Sequence, residues 1–417
     1  MSTIPAPDAR LADWFAEAAD WPSAILPSYS GGSVANVAAS VVQAFGGAAE
    51  ALLPPLDSAL LDPAGLAGAR VVVLLVIDGY SALAHERHGS ALSRLGPEPL
   101  QSATITSVFP STTAAALTSL QTGVGPGRHG MAGYTLYLPG LGRVVNMVRF
   151  QPVDGGQFDS AKLDTSDFLP VPTIYSILRE RGVDSVVVSH KEYEKSPLTL
   201  AHSGTTPYTG HRSLGELAAL LRREVEKPGK RFVFGYWAGV DTLGHTHGPA
   251  GDVSAVEIDT LTYALRRHVL EPLAVNGDEV AVILTADHGM TDIPTASATT
   301  LNDLNALTGA WRRPATGERR AVGLSLAEPA ARLHLRDALG ERAAILDVRD
   351  ALAAGLYGPP EHHPDVQERI GDTLLLARGP ASFPFLSSRP QPTPSLGAHG
   401  SLTAEEMLVP LLAWRFG

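Results

Sequence analysis

Four short runs of apolar residues constrain the fold of this 417-residue chain more than any other feature. They are residues 71–77, 186–189, 232–237 and 280–285. A strand that is apolar at consecutive positions has both faces buried, which is typical of parallel sheets in α/β proteins. Helical patterns lie between the runs, at residues 163–181, 214–225 and 256–270. The alternation of strands and helices predicts an α/β fold with a mostly parallel sheet.

Each of these predicted strands is followed by a residue type that binds metals or anions. The residues are Asp78, His190, Asp241, His245, Asp287 and His288. In open α/β sheets, ligand sites form outside the carboxyl ends of the strands. A single Asp after a strand is more often a helix cap than a ligand. Three of the four strands, those before Asp78, Asp241 and Asp287, nevertheless deliver such residues to one edge and favour a metal site.

Cysteine is absent from the sequence. This excludes disulfides, thiolate zinc sites, iron–sulfur clusters and cysteine nucleophiles. A transition-metal site in this chain therefore has to be built from His, Asp, Glu and hydroxyl groups.

The charge balance bears on the class of partner. Lys and Arg number 32 and Asp and Glu number 43, so the formal charge is −11. Binding to a nucleic-acid polymer or an anionic membrane requires clustered Lys and Arg, so neither is expected as a partner. A small anionic substrate held by metal ions is compatible with this charge.

No segment has the length of a membrane span. The longest aliphatic run has seven residues, at 71–77, whereas a span needs roughly 20. The first 20 residues show neither a basic stretch nor an apolar core of a secretory signal. We therefore expect a cytoplasmic protein.

The segment from 292 to 394 is less regular than the rest. It contains Arg- and Pro-rich turns and three weaker strand patterns, at residues 331–337, 342–348 and 372–379. We expect peripheral strands and a partial lid within a single domain of residues 1–417.

Three hydroxyl residues, Ser111, Thr112 and Thr113, precede a good helix former at residues 114–120. Ser or Thr at this point is usually a helix N-cap. The same position suits a nucleophile, because the helix dipole and the free N–H groups of the first turn attract phosphate. The local pattern leaves both interpretations open.

Six motifs occur in an order that resembles the alkaline-phosphatase superfamily, and its nucleotide pyrophosphatase/phosphodiesterase family most of all. They are IDG at 77–79, TG at 122–123, HG at 129–130, DTLGHTHGP at 241–249, ADHGM at 286–290 and GAHG at 397–400. The resemblance spans about residues 71–402. It implies a three-layer α/β/α fold with a mostly parallel central sheet and a lid-like periphery.

The resemblance also implies two divalent metal ions. Asp78, Asp287 and His288 would bind one, which also contacts the nucleophile, and Asp241, His245 and His399 would bind the other. Three carboxylates and three neutral imidazoles bring a charge of −3 to two ions that carry +4, which favours an anionic phosphate ester. Mixed Asp/His ligation suits Zn²⁺, with Mn²⁺ as the alternative.

In the family that this chain resembles, the nucleophile lies nine residues before the Thr of the TG pair. Counting back from Thr122 gives Thr113 as the catalytic residue and metal ligand, with Thr112 as the reserve. The chain departs from the family pattern because Phe109-Pro110 precedes the threonines instead of following the nucleophile.

A second departure concerns the group that steadies the phosphoryl oxygens. Many relatives place an Asn shortly after the HG pair, where this chain has Tyr134. Tyr134 or Asn146 could bind substrate there, and packing explains both residues equally. The loop HKEYEK at 190–195 could bind a distal anionic group, or it is simply a solvated surface loop.

The function that the resemblance implies is hydrolysis of phosphodiester or nucleotide pyrophosphate bonds in a small, nucleotide-like substrate. Thr113 would attack phosphorus and form a phospho- or nucleotidyl-threonine, which water then hydrolyses. A phosphomonoesterase or a phosphonate-ester hydrolase of the same superfamily is the nearest alternative. A non-catalytic nucleotide-binding relative is the alternative from another class. A serine hydrolase is disfavoured because the sequence contains no G-x-S-x-G elbow.

Overall fold

The predicted apolar runs form the middle of a seven-stranded sheet. The structure is a computed structural model that describes residues 4–47, 50–89, 92, 97–155, 168–276, 279–309, 311–384 and 395–417. Its strands are β1 (Val71–Ile77), β2 (Gln101–Thr106), β3 (Thr135–Leu138), β4 (Arg143–Asn146), β5 (Gln151–Pro152), β6 (Asp184–His190), β7 (Tyr208–His211), β8 (Arg231–Trp237), β9 (Val280–Thr285), β10 (Thr291–Asp292), β11 (Trp311–Gly317), β12 (Ala321–Leu326), β13 (Ala343–Asp347), β14 (Thr373–Ala377), β15 (Gly397–Ala398) and β16 (Leu408–Phe416).

The central sheet has the order β2-β16-β9-β1-β8-β6-β7. The pairs β9-β1, β1-β8, β8-β6 and β6-β7 are parallel, and β16 runs antiparallel to both of its neighbours. Every residue of β1 and of β9 is buried, as expected for strands covered on both faces. The predicted α/β class with a mostly parallel sheet is confirmed.

The helices lie between these strands and beside the second sheet. They are α1 (Ala9–Ala19), α2 (Val37–Ala44), α3 (Pro63–Leu66), α4 (Ala82–His88), α5 (Thr113–Thr122), α6 (Pro126–His129), α7 (Ile174–Glu180), α8 (Pro197–Ser203), α9 (Leu214–Glu226), α10 (Gly239–His247), α11 (Asp252–Leu265), α12 (Glu271–Asn276), α13 (Leu301–Thr308), α14 (Ala331–Leu339), α15 (Val348–Ala354), α16 (Val366–Ile370) and α17 (Ala404–Met407). A π-helical segment, Arg266–Leu270, joins α11 to α12. Within the described ranges, no helix is both long enough and apolar enough to span a membrane.

The helix predicted for residues 163–181 is shorter in the structure. Helix α7 begins at Ile174, and residues 163–167 lie outside the described residues. Pro170 and Pro172 precede the helix, and a proline disfavours helical geometry in the residue before it. The helix therefore starts only after the second proline.

A second seven-stranded sheet has the order β13-β14-β12-β11-β3-β4-β5, with all neighbouring strands antiparallel. The segment from 292 to 394 supplies its first four strands, and the strand patterns at 342–348 and 372–379 are among them. The strand predicted at 331–337 is wrong, because it is part of helix α14. Ala331, Leu335 and Leu339 are buried at four-residue spacing, so a helical apolar stripe determines this segment. The partial lid and the single domain stay predictions.

Candidate metal centre and active site

Three parallel strands of the central sheet end at the same level and deliver the predicted ligands. Ile77 pairs with Trp237, and Val76 pairs with Thr285, so β1, β8 and β9 stop side by side. Asp78 follows β1, Asp241 and His245 lie on α10 behind β8, and the Asp287-His288 pair follows β9. His399 joins them from the loop between β15 and β16.

The first group of ligand atoms comes from Asp78, Asp287 and His288. One ligand atom from each residue lies within 4.8 Å of the others, and all three residues are buried. The His288 Nε2 atom is 3.4 Å from Asp78 Oδ1 and 3.5 Å from Asp287 Oδ2. This is the group that the resemblance assigns to the ion beside the nucleophile.

The second group is centred on Asp241. Its Oδ1 atom lies 3.4 Å from His245 Nε2 and 3.7 Å from His399 Nε2. Asp241, His399 and His288 also form a set whose ligand atoms lie within 4.8 Å of one another, so His288 stands between the two groups. The rings of His288 and His399 stack with centroids 3.8 Å apart. The structure therefore brings all six predicted ligands together, and their division between two ions stays a prediction.

Backbone carbonyls fix the orientation of the three imidazole rings. The Nδ1 atoms of His288, His245 and His399 lie 2.9, 2.9 and 3.0 Å from the carbonyl oxygens of Gly289, Gly397 and Ser111. A carbonyl only accepts, so each Nδ1 carries the proton, and in the neutral ring each Nε2 has a free lone pair. Burial lowers the pKa of His399 well below its usual value, which keeps that ring neutral. All three Nε2 atoms face the carboxylates, as in imidazole ligands of metals.

Three carboxylate oxygens of the cluster lack hydrogen-bond donors among the described residues. Asp78 Oδ1, Asp241 Oδ1 and Asp287 Oδ2 are buried and have no hydrogen-bond partner among the described residues. Burial raises the pKa of Asp78 well above its usual range, and the charges of Asp287 and Asp241 add to the effect. Burial also raises the pKa of Asp287 to about 7. Unsatisfied buried carboxylate oxygens that face imidazole Nε2 atoms form a donor set that fits divalent cations.

The other carboxylate oxygens of Asp78 and Asp287 accept hydrogen bonds from the protein. The Tyr236 hydroxyl donates a hydrogen bond to Asp78, and the amides of Gly79 and His288 donate to Asp287 Oδ1 at 3.2 and 2.9 Å. Gly79 has a φ of +72°, and a Cβ there would lie 2.9 Å from the Asp241 Cα. A glycine is therefore required between the two aspartates. Sequence reasoning missed Tyr236, whose only signal is a hydroxyl near the end of an otherwise apolar strand.

The two candidate threonines face different partners. Helix α5 begins at Thr113, and the Thr113 hydroxyl lies within hydrogen-bond distance of His288 Nε2, at 3.1 Å. Thr112 is the N-cap residue, but its hydroxyl makes no capping bond and donates to the buried carboxyl of Glu318 instead. The first-turn N–H groups of α5 thus have no side-chain cap, while Thr113 lies beside the candidate metal ligands.

A cavity of about 1680 Å³ opens over this cluster and takes its walls from both sheets. Tyr134 and Asn146 both line it. The Oδ1 atom of Asn146 accepts from the amides of Val148 and Arg149 at 3.0 Å each, so it also holds a local turn. Binding of substrate by Tyr134 or Asn146 stays a prediction.

The loop that follows β6 contributes to the cavity in part. Glu192 and Tyr193 line it, whereas Lys191 pairs with Glu194. Lys195 is exposed. Lys191 and Lys195, which could have bound a distal anion, are thus not among the residues of this loop that line the cavity.

Comparison with known proteins gives a family match and two likenesses of fold. The model of the family described as type I phosphodiesterase / nucleotide pyrophosphatase matches residues 72–401. Murine ectonucleotide pyrophosphatase / phosphodiesterase 5, solved as an inactive variant in complex with AMP, superimposes with a TM-score of 0.60 at 17% identity, over 82% of this chain and 87% of that chain. Phosphonoacetate hydrolase from Sinorhizobium meliloti 1021, in complex with phosphonoacetate, superimposes with a TM-score of 0.59 at 18% identity, over 83% of this chain and 90% of that one. These two likenesses concern the fold.

A sequence relative is alkaline phosphatase PhoK from Sphingomonas sp. The match is 29% identical over 219 residues and covers 43% of this chain and 38% of that protein. The match thus spans well under half of the relative's length.

Proposed function

The chain belongs to the type I phosphodiesterase / nucleotide pyrophosphatase family, and on that premise we propose that it hydrolyses phosphodiester or nucleotide pyrophosphate bonds with Thr113 as the nucleophile. Family membership supports metal-dependent hydrolysis of a phosphoester.

One observation supports the choice of nucleophile above all others. The Thr113 hydroxyl lies 3.1 Å from His288 Nε2, beside carboxylate oxygens that lack partners. It stands at the N-terminus of a ten-residue helix, where the first-turn N–H groups attract an anionic phosphate. The Thr112 hydroxyl is already bound to Glu318, so it is not free to attack.

The residues that would hold metal ions are the two groups described above. Asp78, Asp287 and His288 would bind the ion next to Thr113, and Asp241, His245 and His399 would bind the other. Divalent ions, when bound there, supply the positive charge that lowers the pKa of a hydroxyl and stabilises a leaving oxygen. We propose two Zn²⁺ ions, with Mn²⁺ as the second choice, because the ligands mix carboxylates with imidazoles.

The chain's own residues would perform a two-step displacement. The Thr113 Oγ1 atom attacks phosphorus, and the bond from phosphorus to the leaving oxygen breaks as the bond to threonine forms. Water then attacks the phospho- or nucleotidyl-threonine and restores the hydroxyl, so the configuration at phosphorus is retained overall. The α5 N–H groups donate to the non-bridging oxygens throughout.

A phosphomonoesterase is the second candidate function. It is supported by the 219-residue match to an alkaline phosphatase. A phosphonate hydrolase is supported only by a likeness of fold. Many relatives have an asparagine where this chain has Tyr134. This difference is consistent with a different mode of binding of the phosphoryl oxygens.

A substrate panel tests these proposals. Purified protein is assayed with bis-(p-nitrophenyl) phosphate, p-nitrophenyl phosphate, a nucleoside p-nitrophenyl monophosphate, a dinucleoside pyrophosphate and phosphonoacetate, before and after chelation. We expect hydrolysis of the diester and pyrophosphate substrates, loss of activity on chelation and recovery with Zn²⁺. Turnover of p-nitrophenyl phosphate alone would establish the monoesterase instead. Activity that survives complete metal removal would refute both.

A further inference from the structure

A tight turn between strands β11 and β12 carries three consecutive charged residues, Glu318, Arg319 and Arg320. Glu318 and Arg320 are buried and anchored. Glu318 accepts a hydrogen bond from the hydroxyl of Thr112, next to the proposed nucleophile. Arg320 forms a two-pronged ion pair with Glu406 at 2.7 and 2.9 Å. The backbone on both sides of Arg319 is therefore held in place.

Arg319 itself is half-buried and lines the large cavity. Its guanidinium makes no hydrogen bond or ion pair with any residue that the structure describes. Burial lowers the pKa of Arg319. A guanidinium that is partly removed from water and lacks a counterion is unfavourable unless a ligand supplies the anion.

The charges of the other arginines that line the cavity are paired with a carboxylate or solvated by water. Arg312 is ion-paired with Asp372. Arg313 is 3.2 Å from a carboxylate oxygen of Glu368 and lies over the ring of Tyr137 at 4.2 Å. Arg149 is exposed, so water solvates its charge. Arg319 is thus partly buried, and its guanidinium N–H groups have no acceptor among the residues that the structure describes.

We propose that Arg319 is a specificity-determining residue that binds a second anionic group of the substrate, a phosphate or carboxylate that is not transferred to Thr113. This inference rests on the function proposed above. The guanidinium offers parallel N–H donors that match two oxygens of such a group.

The position of the turn explains why the second anionic group is the target. The transferred phosphoryl group has to lie at Thr113 Oγ1, among ligands of the central sheet. Glu318 is the residue of the turn that reaches the start of helix α5, and Arg319 is one residue further on in the same turn, which joins two strands of the second sheet. A cavity of about 1680 Å³ has room for far more than one phosphoryl group. A leaving group that carries its own charge would fill this room and neutralise Arg319.

Two substrates with the same transferred group test the proposal. A nucleoside p-nitrophenyl monophosphate has one anionic group, and a dinucleoside pyrophosphate has a second one in its leaving group. We expect Arg319→Met to lower kcat/KM about 10- to 100-fold for the pyrophosphate, mainly through KM, since a hydrogen-bonded charge pair contributes roughly 1.5–3 kcal/mol. The p-nitrophenyl ester should be hydrolysed within about threefold of the wild-type rate. Arg319→Lys should restore part of the loss, and Arg312→Met, whose partner is on the protein, serves as the matched control.

Binding measurements separate this proposal from the proposed function. Titration calorimetry on Zn²⁺-loaded protein compares methylene bisphosphonate, which has two anionic groups, with methylphosphonate, which has one. We expect Arg319→Met to weaken only the bisphosphonate, by about tenfold or more. If the wild type hydrolyses neither substrate, the proposed function is wrong, and the calorimetry still decides the role of Arg319. Equal losses for both ligands or both substrates, or no loss for either, would overturn the proposal.

Discussion

The buried carboxyl of Glu318 makes the stability of the metal-free protein depend on pH in a way that one substitution should remove. Burial raises the pKa of Glu318 from 4.5 to about 8, the charge of Asp241 adds to the increase, and the hydrogen bond from Thr112 opposes it. Above pH 4.5 the unfolded chain releases this proton, while the folded chain keeps it until about pH 8. The contribution of Glu318 to stability is therefore complete at low pH and is lost as the pH rises through that window.

The magnitude follows from the linkage between proton binding and folding. One proton that is held only by the folded state changes the free energy of unfolding by about 1.4 kcal/mol per pH unit. Between pH 5.5 and pH 7.5, ionisation of Glu318 should therefore lower the free energy of unfolding by roughly 3 kcal/mol. Glu318→Gln keeps an acceptor for the Thr112 hydroxyl but cannot ionise, so this variant should not show that part of the loss.

Urea unfolding of chelated protein at the two pH values measures the effect. The wild type should lose about 3 kcal/mol more than Glu318→Gln between them. The candidate metal ligands are the same in both proteins, so the difference between the two proteins reports Glu318 together with its coupling to Asp241. Glu328→Gln, at an exposed glutamate, is the control and should behave like the wild type. Equal losses in the wild type and in Glu318→Gln would refute the reasoning.

The remaining predictions concern the nucleophile and the support of the metal ligands. Thr113→Ala should retain bound metal and lose nearly all turnover, whereas Thr112→Ala should stay active; metal analysis and steady-state kinetics check this, and the opposite pattern would contradict the assignment. Tyr236→Phe removes a hydrogen bond from a carboxylate ligand, so metal affinity should fall by about 10- to 100-fold in a chelator competition, and unchanged affinity would refute the supporting role. Gly79→Ala should lower stability by about 1–3 kcal/mol or more in thermal unfolding, since a methyl group there meets backbone at 2.9 Å. Gly229 also has a positive φ but has open space around it, so Gly229→Ala should lower stability less. Equal losses of stability in the two variants would show that the close contact at Gly79 is unimportant.

The central sheet could be predicted from the sequence because its strands carry their signal in consecutive residues. The bounds of β1 and β9 match the apolar runs, since every position in them is buried. The second sheet could not be predicted as such, because its strands come from distant segments of the chain and their pairing is set by contacts. The alternation of leucine with polar residues at 331–337 even favoured a strand, whereas the residues that pack inwards are spaced for a helix.

The candidate metal ligands could be predicted because five of them follow a predicted strand and all six match a motif of a known family. Tyr236, Glu318 and Arg319 could not, because nothing local distinguishes them. Glu318 acts on a threonine 206 residues away in the chain. Arg319 stands out only because its neighbours are anchored and it is not. Such features arise from the folded arrangement and leave no periodic pattern in the sequence.

Because main-chain oxygens hold the Nδ1 sides of all three histidines, the imidazoles are aimed before any cation arrives. Exchange of zinc for manganese should then leave the rings where they are. A change of rate on metal substitution would report the Lewis acidity and preferred coordination number of the ion, and not a rearranged protein.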